Sequence, residues 1–391
     1  MNYPCEKQSL PLVSVIIPAY NAEQFVERTL NSVLNQTYQN FEVIVVNDGS
    51  HDRTAEIVSE MAQRDDRVTL LHQANLGVAA ARNLGIQYSS GEFIAPIDAD
   101  DLWHPHNIAK QVQRFAESSA DVGLVYSWSL DIDEHDLPIG EIHAARVEGD
   151  VYLTLLCHYF LANASASLIR RSCLEKVGTY NCQFRKYQAQ GCEDWDLYLR
   201  LAEEFEFRFV SEFLVSYRKI QHSMSCNYSS MAKSHTLMLQ SIRQNHLNLP
   251  EFIYRLSSSS FYIYLARQCH QKIDYKNTLA WLRKALKIDF IMVCLRTELY
   301  TLSIKSLLKL NLQSIVSINS NYQLYKWFQE RWKPSRDRKP ALKFAERELN
   351  QSKFTLEVLL HKCLPVLVST ALQLKIKKQE FQRSFNYRRS V

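Results

Sequence analysis

Two apolar runs rich in branched residues, Val13 to Pro18 and Phe41 to Val46, constrain this fold more than any other feature. Neither alternates with polar residues, so each reads as a strand buried on both faces rather than one with a wet side. Helical spacing follows each run, through Phe25, Thr29, Val33 and Leu34 and then through Ile57, Val58 and Met61. The pattern continues with a strand at Val68 to Leu71, a small-residue helix at Val78 to Ile86 and a strand at Glu92 to Ile97. Alternation of this kind predicts βαβ units and a largely parallel sheet.

Ligands of open α/β sheets bind outside the carboxyl ends of the strands. Three polar clusters fall at such ends: Ala19-Tyr20-Asn21, Asn47-Asp48-Gly49 and Asp98-Ala99-Asp100-Asp101. Less regular strands are expected at Val122 to Tyr126, Ala166 to Ile169, Arg208 to Val210 and Leu214 to Tyr217, with a helix from Glu193 to Glu203. From Met231 onward the pattern is helical. The predicted organisation is an N-terminal tail over 1–10, an α/β domain over 11–230 and an all-α region over 231–391. Within the last, Phe261 to Phe290 resembles one helical hairpin of the tetratricopeptide kind, through Tyr264, Ala266, Tyr275, Ala280, Ala285 and Leu286.

Composition excludes more than it selects. With 46% apolar and 22% charged residues the 391-residue chain is an ordinary globular one, long enough for two domains. Met1 to Leu10 has no secretory pattern, and the most apolar window, Leu356 to Leu374, is interrupted by Glu357, His361, Lys362 and Pro365. We therefore expect a cytoplasmic protein without a spanning helix. Nine scattered cysteines with no CxxC pair fit reduced structural thiols. No GxGxxG follows the first strand, which argues against a dinucleotide oxidoreductase.

Two acidic groups carry the chemistry. Asp98, Asp100 and Asp101 place three carboxylates at a strand end, where burial without partners is costly and a cation relieves the cost. Magnesium and manganese suit such oxygens and need only one or two protein carboxylates. The competing reading makes Asp101 the cap of a helix starting at Leu102-Trp103. Glu193-Asp194 is the second group; two acids at a helix start also serve the helix dipole. Asp48-Gly49-Ser50 suits an ordinary turn, and Arg82 a surface ion pair. Trp103 and Trp195, beside the acids, suit either stacking on a sugar or base, or core packing.

Taken in order, Val13-Ser14-Val15-Ile16-Ile17-Pro18-Ala19-Tyr20-Asn21, Val45-Val46-Asn47-Asp48-Gly49-Ser50, Gly77-Val78-Ala79-Ala80-Ala81-Arg82-Asn83 and Asp98-Ala99-Asp100-Asp101 resemble the family 2 glycosyltransferases of GT-A fold. Arg170-Arg171, Val177-Gly178, Glu193-Asp194-Trp195-Asp196 and His222-Ser223-Met224-Ser225 extend the resemblance to about residues 11–225. It implies a nucleotide-sugar-dependent, inverting transferase. Pro18, Ala19, Tyr20 and Asp48 would hold the base and ribose of a UDP- or GDP-sugar, with Arg82 near the nucleotide. Asp98 would face the ribose, and Asp100 would ligate Mn²⁺ or Mg²⁺ with help from Asp98 and, weakly, His222. Asp101 would assist the metal or the acceptor, Asp194 would be the base and Glu193 would orient it or the acceptor. Asn47 departs from the aspartate common at that position.

From Lys326 to the end, 16 Lys and Arg face 6 Asp and Glu, interleaved with Trp327, Phe328 and Trp332. That mixture suits an anionic membrane surface, the inner face of the cell membrane for an enzyme with a lipid-linked or saccharide acceptor, although charge runs also simply face water. No nucleic-acid-binding motif accompanies the charge. A non-catalytic scaffold that keeps the nucleotide fold and docks through its helical half is the alternative; the intact acids argue against it.

Overall fold

In the computed structural model, which describes residues 10–220, 227–318 and 361–371, the first apolar run forms β1 (Val13–Ala19), almost wholly buried. α1 (Val26–Leu34) leads to β2 (Phe41–Asp48), α2 (Thr54–Ala62) to β3 (Val68–Gln73), and α3 (Val78–Tyr88) to β4 (Phe93–Pro96). These four strands are mutually parallel, with β1 between β2 and β4. The side chains of β1 point alternately to two helical layers. Val13, Val15 and Ile17 join Val26, Leu30 and Val33 of α1 in one core. Ile16 lies on the other face against Gly85 of α3, where an added Cβ would come within 2.5 Å of its Cγ2.

The chain continues through β5 (Leu102–Trp103), α4 (Asn107–Ala116), β6 (Val122–Ile132), β7 (Pro138–His143), α5 (Tyr152–Cys157), β8 (Ser167–Arg170), α6 (Arg171–Val177), α7 (Gln183–Lys186), α8 (Glu193–Ala202) and β9 (Glu206–Arg218). The sheet runs β3-β2-β1-β4-β8-β6-β9-β5, with β7 added to β6. β8 is antiparallel to both β4 and β6, and β9 is parallel to β6. The carboxyl ends of β1, β2, β3, β4, β6 and β9 therefore share one edge. The two strands expected at 208–210 and 214–217 are one strand, β9, whose pairing with β6 is interrupted by bulges. β7, with a strongly exposed first half, carried no apolar signal.

Helices α9 (Tyr228–Asn245), α10 (Glu251–Gln271), α11 (Tyr275–Ile288), α12 (Phe290–Cys294) and α13 (Thr297–Ile318) follow, and residues 361–371 are helical. Two compact units result among the described residues, one containing 10–155, 159–220, 227–234 and 361, the other 156–158, 235–318 and 362–371. In the second, α10 packs on α11 through a short turn and starts ten residues before the expected hairpin, at Glu251 rather than Phe261. No helix among the described residues is long and apolar enough to cross a membrane. All seven cysteines among the described residues are free thiols.

Candidate active site

Because β1, β2 and β4 run parallel, their three polar ends meet. The backbone N–H of Asn21, itself at φ 47°, donates to Ser50 Oγ at 3.0 Å, and Asn21 Oδ1 accepts from the His51 N–H at 2.9 Å. Pro18 is half-buried, Ala19 is buried within the sheet and Tyr20 is exposed. Ala19 itself thus presents no exposed surface, and Tyr20 is the accessible residue of the three. Asp48 is buried, its Oδ1 accepting from Gln73 Nε2 at 2.6 Å and Leu76 N at 2.8 Å, and its Oδ2 from Gly77 N at 2.9 Å. A carboxylate has about four acceptor positions, so one remains for a ligand N–H.

Arg82, expected near the nucleotide or in a surface pair, is buried with only 3% of its side chain exposed. It projects from α3, with its guanidinium 5.1 Å from the Tyr180 ring centroid. Nη2 donates to Asp98 Oδ1 at 2.6 Å and Nη1 to Asp194 Oδ1. One guanidinium therefore clamps together acids 96 residues apart in the chain, the end of β4 and the start of α8. Burial alone would lower the Arg82 pKa, but Asp194 and Asp98 outweigh it and hold it well above its ordinary value. The surface-pair alternative is thereby overturned.

The acids differ sharply in environment. Asp101 does not cap a helix: Leu102–Trp103 is the strand β5, and α4 starts at Asn107. Fully buried, Asp101 accepts from Ser165 Oγ at 2.5 Å and from the Arg218 backbone N–H at 2.8 Å. Burial, then Asp100 and Asp98, push its pKa well up. These contacts make it structural, not the assistant to metal or acceptor that was expected. Asp100 is half-buried, and burial and then the Asp98 charge push it up to about 7. Its carbonyl accepts from Arg218 Nε at 2.6 Å. Arg218 is itself fully buried, paired with Asp136 at 2.5 Å.

At the start of α8, burial lifts Glu193 to about 7, with Asp194 adding to the effect and the Gly191 N–H, 2.7 Å from Oε2, opposing it. Burial also raises Asp194, against the pull of Arg82. Asp194 keeps a quarter of its side chain exposed, whereas Glu193 is buried. Raised carboxylates are better proton acceptors, which suits general-base work.

Trp103 and Trp195 are core residues. Their indole N–H groups donate to the Ser165 carbonyl at 2.7 Å and the Leu155 carbonyl at 2.8 Å. Ser165 and Tyr180 were missed by sequence reasoning: a serine in a turn and a tyrosine in a loop carry no motif. Ser165 both accepts from the Asp98 N–H, at 3.0 Å, and holds Asp101. His222 lies outside the described residues.

The donor set fits a hard divalent cation in a particular way. Asp98 and Asp100 offer carboxylate oxygens, and the raised Asp100 marks negative charge that the chain leaves uncompensated. Arg82 occupies Asp98 Oδ1, and no group of three or more His, Cys, Asp or Glu ligands occurs among the described residues. An ion here would complete its shell with phosphate oxygens and water, the usual habit of Mg²⁺.

The fold is of the GT-A type, an α/β domain followed by a helical region, and the α/β domain carries the sequence pattern of a glycosyltransferase. Residues 14–178 match the profile of Glycosyl transferase family 2. An uncharacterized glycosyltransferase of Methanocaldococcus jannaschii is 29% identical over 214 residues, covering 53% of this chain and 71% of that protein. The uncharacterized glycosyltransferase EpsJ of Bacillus subtilis is 48% identical over 92 residues, 24% of this chain and 27% of EpsJ. This chain thus spans about a quarter of EpsJ. Among solved structures, the mannosyltransferase PcManGT of Pyrobaculum calidifontis, in complex with GDP-Man and Mn²⁺, superposes with a TM-score of 0.50 at 17% identity, covering 80% of this chain and 89% of that one. That likeness concerns the fold.

Proposed function

We propose that the protein is an inverting, metal-dependent glycosyltransferase that moves a sugar from a UDP- or GDP-sugar to an acceptor hydroxyl in cell-surface polysaccharide or glycolipid synthesis. The observation that carries this reading is Arg82, which joins Asp98 and Asp194 in one buried cluster. Residues 11–230 are its catalytic domain. Pro18, Ala19 and Tyr20 line the nucleotide, with the remaining Asp48 lone pair meeting the base. Asp98 faces the ribose. Asp100 with Asp98 would hold a divalent cation, Mn²⁺ or Mg²⁺, which would supply neutralising charge for the nucleoside diphosphate. The GDP-Man and Mn²⁺ of the archaeal neighbour support both donor class and ion.

Asp194 takes the proton of the acceptor hydroxyl as that oxygen bonds to the anomeric carbon and the bond from that carbon to the diphosphate oxygen breaks. Arg82 fixes the base carboxylate, and Glu193, held by the Gly191 N–H, orients the acceptor. We assign α10 and α11 to a tetratricopeptide-like hairpin, His222 to a further metal contact, and the basic tail to peripheral attachment at the inner membrane face of a cytoplasmic enzyme.

Thermal-shift titration with a panel of UDP- and GDP-sugars, with and without Mn²⁺, tests the donor and ion together. Stabilisation that needs both ion and nucleotide is expected, and Asp194→Asn should keep it while losing transfer. No stabilisation by any donor, or full transfer by Asp194→Asn, refutes the assignment. The anomer of the product, read by NMR, tests inversion.

A further inference from the structure

The helical unit exposes an apolar surface that its own packing does not use. In α12, Phe290, Ile291 and Leu295 just beyond it are 68%, 72% and 73% exposed, while Val293 alone of that turn is buried. These are large side chains held outward by a helix, with Asp289 accepting from the Met292 N–H at its start. Their exposure is built into the fold.

α13 continues the feature with a definite face. At about 100° per residue, Leu307, Tyr300, Ile304 and Leu308 fall within a sector of roughly 100°. All four are exposed, whereas Leu299 and Ser306, on the opposite side of the helix, are buried. Lys305 borders the apolar sector and is exposed, as are Lys309, further round the helix, and Lys287 at the end of α11. Between Arg283 and Leu310 there are six Lys and Arg against two acids. Both acids are engaged, Asp289 as the α12 cap and Glu298 with Arg267 at 3.6 Å.

We propose that α12 and α13 form an interfacial membrane-binding surface, with Phe290, Ile291 and Leu295 entering the headgroup region of an anionic bilayer. Apolar residues bordered by lysines match the chemistry of that surface, where buried hydrocarbon and attraction to anionic lipid act together. Charge selects this occupant: Arg283, Lys284, Lys287, Lys305 and Lys309 are all exposed while both acids of the stretch are engaged, which leaves it net positive toward an anionic surface. Insertion of this kind needs no spanning helix. The proposal is independent of the catalytic assignment and separate from the basic tail.

Sedimentation of the full-length protein with vesicles of phosphatidylcholine alone, or mixed with phosphatidylglycerol, provides the test. Binding to the mixed vesicles is expected, with the combined Phe290→Ser, Ile291→Ser and Leu295→Ser variant weakened by about tenfold or more. Lys305→Glu with Lys309→Glu should weaken binding most at low salt, as screening removes the attraction. Leu295→Trp should gain emission that acyl-brominated lipid quenches. The triple variant should keep the wild-type melting temperature and donor-induced thermal shift, because its side chains are exposed. Wild-type binding by the triple variant, whether through the tail or otherwise, overturns the proposal. So does an absence of vesicle binding by the wild type, or a dimer by light scattering that the triple variant dissociates.

Discussion

Replacing Arg82 by methionine separates a structural clamp from an incidental contact. The change keeps much of the side-chain volume and removes the charge between Asp98 and Asp194, which hold 31% and 25% of their side chains exposed. Removing one partner of a fully buried pair costs about 3–5 kcal/mol. Partial access of water to both carboxylates brings the expected loss to about 2–3 kcal/mol. For a unit of this size that is a fall in melting temperature of roughly 4–12 °C. The orphaned acids then repel each other, so Asp98→Asn or Asp194→Asn in the Arg82→Met background should return about 1 kcal/mol or more, although each destabilises the parent. Urea denaturation of the four corners of each cycle measures this coupling. Transfer by Arg82→Met should drop by at least about 100-fold, equal to about 2.7 kcal/mol of lost transition-state stabilisation. A loss below about 0.5 kcal/mol for Arg82→Met, or strictly additive cycles, would refute the view that this guanidinium unites the two acids.

Further outcomes follow from individual environments. Glu193, raised from 4.5 to about 7, binds its proton more tightly folded than unfolded, so its contribution to stability is full below pH about 4.5 and is lost as pH rises through 7. Glu193→Gln should therefore flatten the stability profile across pH 4.5 to 7 by about 2–4 kcal/mol, as read by denaturant unfolding at each pH. Asp100→Asn should abolish the ion-dependent part of the donor thermal shift with little loss of stability. Asp101→Ala should instead destabilise the fold by about 2–4 kcal/mol in urea, because it strands the buried Ser165 hydroxyl and the Arg218 N–H. Gly91→Ala should be poorly tolerated in thermal melts, by about 1–3 kcal/mol, since its Cβ would lie 2.6 Å from Ser14 N and 2.9 Å from Leu12 O, both backbone atoms that cannot swing away.

The parts of this fold that local sequence could announce are those whose environment is uniform along an element. β1 and β2 are buried on both faces, so Val13 to Pro18 and Phe41 to Val46 are legible without any knowledge of their neighbours. β7 pairs through its backbone at an exposed edge and needs no apolar side chains, which leaves nothing to read. β9 looked like two strands because Ser211 and Glu212 interrupt the apolar pattern where its register with β6 shifts. The site divides in the same way. Asp98 and Asp194 stand at element ends, where an acid is conspicuous, but the difference between Asp100 and Asp101 lies in what surrounds them. Ser165 comes from a turn after α5 and Arg218 from the end of β9, and only the closed sheet brings both against Asp101. Adjacent aspartates thus acquire opposite duties, one left with charge for a ligand to neutralise and the other holding strands together. The side that each acid faces is a property of the sheet's long-range pairing, and no reading of four consecutive residues contains it.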